Sequence, residues 1–566
     1  MHIPSKSNPQ WLIEEKDLSS DLEKEALNAV FSTGNGVFCC RGTTPFCSSG
    51  TSGTLIGGLY SDSPPTLTWI PTASHPGRDT ENYPDDKKIL ENERIIAMPI
   101  APNLWKTQIQ HNVNQIQISK THRTLDMKQG LLFSETRIES EKSTWVVKTC
   151  RFVSLQQRDI AAERTCIVST NSEELTLTPI LDNSVLNGEN ILLWENEHIT
   201  VDTETGTTVW NGHTQKTDEH AYIVMRSTGN TTRSSGTDAS SGIPFCSLLD
   251  RFVTVASTVS STNPAQEAND ACRLASESTF NTLLKEHTAK WQAVWKRADI
   301  AIDGPIDDQK AIRYALFQLI SSLPGHSDYS IGAKFLSGEG YRGAVFWDTD
   351  IFILPYLARV LPEKARDHIA YRFRTLDKAM ELSKQEGHKG ARYPWEASPD
   401  GTDMTAPWLI LQKTQIHVTA DVAWGIIEYF KWTHDTEFMK SCGMPILRQC
   451  AVYWADIVSQ GNGNLENACG PDENHPHSDN NAYTNFLVRY LLTAAADICE
   501  NASSEEKTHW REMADRIPAP RTNNQCGMEQ YKGFFKLPVT EINEKSFSFA
   551  KNQKITKTDI LMLPFL

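Results

Sequence analysis

None of the 12 cysteines in this 566-residue chain form a Cys-x-x-Cys pair, so zinc knuckles and thioredoxin-like redox chemistry have no support. No stretch approaches the ~18 consecutive apolar residues that a membrane-spanning helix needs. The N-terminus, Met1 to Leu18, lacks the apolar core of a signal peptide. A reduced, cytoplasmic setting is the expectation from these absences. Positive charge is also short: 55 Lys and Arg stand against 70 Asp and Glu, a net charge of −15. That leaves no basic excess for nucleic acid or for an anionic membrane. No Gly-x-Ser-x-Gly elbow, Walker loop or dinucleotide fingerprint stands out. Cys39 and Cys40 are adjacent, which suits small buried residues better than a bridge.

What the chain does have is length enough for two or three domains and 15 Trp residues. Trp is mostly core filler, but its face is also what sugar rings stack on. The first part reads as β structure, with alternating runs at Val147–Val153 and Leu175–Thr178, frequent turn signals and a Ser/Gly-rich loop at 232–242. Residues 265–297 carry few turn formers and predict one long helix or two, ending in Trp291 and Trp295. From 306 onward helical spacing dominates, with roughly eight helices expected. Ile369, Phe373, Leu376 and Met380 predict one face of a single helix stopped near Gly387. Ile416, Ala420, Ala423, Ile427 and Phe430 repeat the spacing, as do Leu487, Leu491, Ala494 and Ile498. The expected organisation is a β-sandwich over 1–262, a helical linker over 263–305 and an all-α domain over 306–566. The chain stops in an apolar run at Asp559 to Leu566, read as a truncated helical domain.

Three segments between helices concentrate aromatic and acidic residues. Gly338 to Asp350 sets Trp347 beside Asp348, a stacking face next to a hydroxyl acceptor, although a turn with Asp348 or Thr349 as helix N-cap explains it equally. Arg392 to Ser398 repeats the theme with Trp395 and Glu396. Gly470 to Asn485 is the richest, with Asp472, Glu473, His475 and His477 ahead of a helix that Asn480 or Asn481 caps. Glycoside cleavage needs a carboxyl that keeps its proton, and a neighbouring carboxylate in an enclosed loop favours that. Metal binding by His475 and His477, or a plain solvated loop, are the competing readings. His417 sits on a helix, where a structural role is the commoner one.

Read in order, these segments resemble glycoside hydrolase family 65, which includes maltose, kojibiose, nigerose and trehalose phosphorylases and acid trehalase. Phe31 to Gly42, Gly338 to Phe352, Tyr393 to Ala397, Gln415 to Asp421 and Gly470 to Asn485 are each similar to a family motif. The resemblance implies an antiparallel β-super-sandwich, a helical linker and an (α/α)6 toroid barrel. It implies inverting cleavage of an α-glucosidic bond in a small carbohydrate, with Glu473 as general acid. Trp347, Asp348, Trp395, Glu396, His417 and Asp472 would line the sugar pocket. No cofactor and no metal are implied, only inorganic phosphate as co-substrate in a phosphorylase, and a homodimer is common among such proteins. Ala344 and Asn474 depart from the phosphorylase pattern, where the family has His and an aromatic, which tilts the expectation towards hydrolysis with phosphorolysis as the alternative. Thr556 to Asp559 stands where the family has Lys-Gln-Ala-Asp. The region that would supply phosphate loop or catalytic base is expected beyond the chain's end, so an inactive sugar-binding protein is a further alternative.

Overall fold

A computed structural model describes residues 8–15, 21–63, 95–110, 116–141, 143–169, 175–187, 191–215, 217–229, 246–325, 328–338, 340–405, 409–523, 527–539, 553 and 558–563. The Ser/Gly-rich stretch at 232–242 lies outside them. The chain divides into two compact units. The first comprises residues 1–62, 97–325 and 334–343, and the second comprises 63–96, 326–333 and 344–566.

The first unit is built on a nine-stranded antiparallel sheet. In chain order its strands are β1 (Leu12–Glu14), β2 (Gln117–Asp126), β3 (Leu131–Glu139), β4 (Thr144–Val153), β5 (Ile160–Ser169), β6 (Trp194–Asp202), β7 (Thr207–Thr214), β8 (His220–Gly229) and β9 (Cys246–Ser257). Their order across the sheet is β1-β2-β3-β4-β5-β9-β8-β7-β6. A four-stranded sheet from residues 33–101 belongs to the same unit, and together they form the expected antiparallel sandwich.

Period-two alternation sorts β9 between two cores. Val253 and Val255 join Phe38, Ile56, Trp105 and Trp210 in one cluster, while Phe252 joins Phe133, Phe152 and Phe280 in another. The second cluster is closed by two helices, α1 (Pro264–Ser278) and α2 (Phe280–Ala298). They are two rather than one because Thr279 takes φ 72°, ψ 147°, which no helix tolerates. Trp291 stacks on Phe317 of α3 (Ile306–Ser321), ring centroids 5.0 Å apart. Cys39 and Cys40 are free and buried, as their adjacency suggests, whereas Cys166 is disulfide-bonded.

The second unit is helical: α4 (Leu354–Val360), α5 (Pro362–Arg374), α6 (Leu376–Gln385), α7 (Val418–Thr433), α8 (Met444–Gln460), α9 (Ala482–Ile498), α10 (Ser504–Arg516) and the short α11 (Asp559–Met562). α7 is the hub, packing on α4, α5, α8 and α9, and every residue from Val418 to Ile427 is buried. The predicted stripe from Ile369 to Met380 does not hold. Thr375 breaks it by turning its hydroxyl back onto the carbonyls of Tyr371 and Arg372, which leaves Phe373 and Met380 exposed. No described helix is long and apolar enough to cross a membrane.

Candidate active site

The part of the first segment from Ala344 onward, with Trp347 and Asp348, and the whole of the other two segments belong to the helical unit, and local hydrogen bonds hold the first two together. Val345 and Ala397 exchange both backbone hydrogen bonds, at 2.9 and 3.0 Å, which zips the Trp347 segment to the Trp395 segment. One turn of α5 then holds both. The Tyr371 hydroxyl donates to the Ser398 carbonyl at 2.7 Å, and the Arg372 guanidinium donates to the Phe346 carbonyl at 3.2 Å and to Asp350. Tyr393 in turn donates to the Arg372 carbonyl at 2.7 Å. Asp350 is buried and also receives His368 Nε2 at 2.8 Å, whose Nδ1 meets Ser330 Oγ at 2.6 Å. Burial alone would raise the Asp350 carboxyl, but the charges of Arg372 and His368 outweigh it and hold it below the usual range. Gly425 lets α7 press against this turn, since a Cβ there would lie 2.8 Å from the Asp350 carbonyl.

Between those anchors, Trp347 is buried and Asp348 exposed. Asp348 occupies the N-cap position of the turn Thr349–Ile353 but its side chain makes no capping bond, so the capping explanation of this residue fails. The Trp347 ring meets His417 edge-on at 5.1 Å and Tyr483 at 6.3 Å. His417 is fully buried; its Nδ1 lies 2.6 Å from Asp421 Oδ2, and Asp421 Oδ1 accepts the Tyr483 hydroxyl at 2.8 Å. Burial pushes the Asp421 carboxyl up, against the pull of His417 and Tyr483. His417 Nε2 and Trp395 Nε1 are buried without a hydrogen-bond partner among the described residues. Such donors and acceptors suit a polyhydroxylated ligand. Glu396 is buried, its backbone N–H donating to Thr405 Oγ1 at 3.2 Å, and Trp395 packs edge-on against Phe346 at 5.3 Å.

The third segment is a closed loop. Ala468 N–H donates to the Ser478 carbonyl at 2.8 Å, and Cys469 N–H ties it to the Thr414 carbonyl at 2.9 Å. Asn481 caps α9, its Oδ1 accepting from Thr484 N–H at 3.1 Å. Asp472 is buried and takes hydrogen bonds from Gln530 Nε2 at 3.2 Å and from Asn474. Glu473 beside it is half-buried. His475 Nδ1 meets Tyr531 at 2.9 Å and His477 Nδ1 meets Asn467 at 2.6 Å. The two imidazoles are therefore engaged by different partners rather than converging on one point.

Asp559 is the residue that sequence reasoning undervalued. Its Oδ1 accepts the Asp472 backbone N–H at 2.7 Å and its Oδ2 accepts Asn481 Nδ2 at 2.6 Å. Gly470 makes room for it, because a Cβ there would lie 2.2 Å from Asp559 Oδ2. Burial lifts the Asp559 carboxyl to about 7; the Asn481 bond opposes this and the Asp472 charge adds to it. Tyr483, whose hydroxyl burial and Asp421 push well up, also feels Asp559 and Asp348, so the first and third segments share one electrostatic environment. Asp421 was findable as the i+4 partner of His417 on a helix. Asp559 ends a stretch that stands where the family has Lys-Gln-Ala-Asp, but its contact with Asp472, 87 residues away, had no local signal.

The sequence model of the glycosyl hydrolase family 65 N-terminal domain matches residues 13–294, and that of the family's central catalytic domain matches 313–562. The chain is 27% identical to a kojibiose phosphorylase of Caldanaerobacter subterraneus subsp. tengcongensis, covering 98% of this chain and 79% of the relative. It is 27% identical to an α,α-trehalose phosphorylase of Thermoanaerobacter brockii, covering 98% and 78%, and 25% identical to a maltose phosphorylase of Bacillus subtilis, covering 94% and 73%. A solved structure described as a putative kojibiose phosphorylase from human microbiome shares the fold, with TM-score 0.82 at 21% identity over 98% of this chain and 77% of that one. These relatives are named as phosphorylases, and the lean towards hydrolysis drawn from Ala344 and Asn474 finds no support among them.

Proposed function

Because the chain belongs to glycoside hydrolase family 65, we propose that it cleaves an α-glucosyl disaccharide by phosphorolysis, with inversion, on the helical unit read as an (α/α)6 barrel. Glu473 is the general acid. Its carboxyl gives a proton to the glycosidic oxygen as the C1–O bond breaks, so the second sugar leaves as a neutral alcohol. An oxygen of inorganic phosphate attacks C1 from the opposite face, forming β-glucose 1-phosphate, and a proton lost from phosphate restores the acid. Trp347 and Trp395 supply apolar faces to the sugar, and Asp348, Glu396 and the Nε2 of His417 take its hydroxyls. Asp472 and Asp559 hold the backbone on which Glu473 sits.

The observation that carries this reading is the closed loop around Asp472, pinned by Asp559 and Asn481 in the electrostatic field that also reaches Asp348. The relatives favour phosphate over water as acceptor. The test is product analysis on glucose disaccharides with and without inorganic phosphate. Glucose 1-phosphate formed only when phosphate is present is the expected result. Free glucose released at the same rate without phosphate would return the reaction to hydrolysis. Glu473→Gln should lower kcat by roughly 10²–10⁴-fold with little change in sugar binding, and undiminished turnover would remove Glu473 from the role.

A further inference from the structure

Far from these loops in sequence, the hairpin joining β7 to β8 gathers two imidazoles and a carboxylate. His213 and His220 stand directly opposite each other in the antiparallel register. Opposed residues leave the same face of a sheet, and these two rings stack with centroids 4.5 Å apart and planes at 28°. Asp218, in the turn between them, takes a left-handed φ of 57° and brings its carboxylate back over the pair. Its Oδ1 lies 2.8 Å from His213 Nε2 and 4.0 Å from His220 Nε2. One ligand atom from each of the three residues lies within 4.8 Å of the others.

The neighbouring carboxylates divide cleanly. The Glu219 carboxylate accepts the Thr258 hydroxyl, while Glu195 on β6 pairs with His213 in register and adds negative charge on the same face. Tetrahedral zinc with imidazole and carboxylate ligands at about 2.0–2.2 Å sets its ligand atoms roughly 3.3–3.6 Å apart. That spacing falls between the 2.8 and 4.0 Å observed, so small side-chain rotations are enough to reach it. Two nitrogen donors select borderline transition dications over magnesium and calcium, which take oxygen. The side chains of His213, His220 and Asp218 are 25%, 42% and 87% exposed, which gives an ion direct entry from solvent.

We propose that His213, His220 and Asp218 form a binding site for a borderline divalent metal ion such as Zn2+, with water in the fourth position. The ion would tie the ends of β7 and β8 across the turn. The test is calorimetric titration of the whole chain with Zn2+ after chelator treatment, beside the double variant His213→Ala/His220→Ala and the single variant Asp218→Asn. The whole chain should bind one more equivalent than the double variant, and Asp218→Asn should bind at least about tenfold more weakly. Identical isotherms for the whole chain and the double variant would overturn the site. Co2+ provides a check that needs no variant. Intense visible bands of four-coordinate cobalt without thiolate charge transfer are expected, and the weak bands of six-coordinate cobalt alone would overturn it.

Discussion

In the sheet unit, Glu163 on β5 lies between two guanidiniums, 4.0 Å from Arg151 and 3.5 Å from Arg251, with all three side chains buried. In the helical unit the proportion is reversed. Asp350, Glu396, Asp421, Asp472 and Asp559 are all buried, and Asp350 pairs with the Arg372 guanidinium. The contrast separates two reasons for burying charge. The arginines of the sheet satisfy loop carbonyls, Arg151 reaching that of Thr43 and Arg251 that of Leu104. Their cost is borne locally, since burial lowers the Arg151 pKa to about 10 even with Glu163 opposing it. Asp421, Asp472 and Asp559 are held instead by an imidazole, a phenol, side-chain amides and backbone N–H groups. Local rules broken without a structural gain are expected where function is.

The largest effect should come from Glu163→Ala, which strands two buried guanidiniums and should cost about 3–5 kcal/mol in urea unfolding. Turnover of the folded protein should be unchanged, and a lowered kcat would break the division drawn between the units. Asp350→Asn comes next, at about 1.5–3 kcal/mol for weakened bonds to a charged Arg372. Here kcat/KM should fall as well, because Asp350 anchors the turn that carries Trp347 and Asp348; unchanged kinetics would make the network merely structural.

A smaller effect is expected from pH. Asp559 keeps its proton to about pH 7 in the folded chain against an ordinary value of 3.8. Its contribution is therefore fully present below about pH 4 and is lost as pH rises through 7. The urea midpoint of the chain should drop between about pH 4 and pH 7, and Asp559→Asn should flatten that drop. Equal slopes in both proteins would take Asp559 out of the account. Least of all should follow from Arg273→Ala, whose partner Glu277 is exposed on α1; thermal melts should move by no more than about 0.5 kcal/mol equivalent.

Much of this contrast was legible in the chain itself, for identifiable reasons. The alternation in Val147–Val153 marked a strand because its period is imposed by the pleat, and that stretch falls within β4. Asn481 marked a helix start because its cap bond is local. The stripe through Phe373 and Met380 misled because a threonine hydroxyl bonding backwards competes with helix continuation, and apolar spacing carries no trace of that. The buried acids were half visible. Glu396 stood beside Trp395, Asp472 beside Glu473, and Asp421 one turn from His417. The Arg372–Asp350 and Asp559–Asp472 contacts join distant segments, and no spacing rule reaches across 22 or 87 residues.

Asn481 uses its amide twice, one end capping α9 and the other reaching Asp559, 78 residues later in the chain. During synthesis, then, the loop that carries Glu473 is made well before the group that completes it. At about 5–20 residues per second, the Asp472 N–H waits on the order of ten seconds for its acceptor. The helices α9 and α10 are made in that interval, so the loop that carries Glu473 acquires its Asp559 contact only after both of them exist.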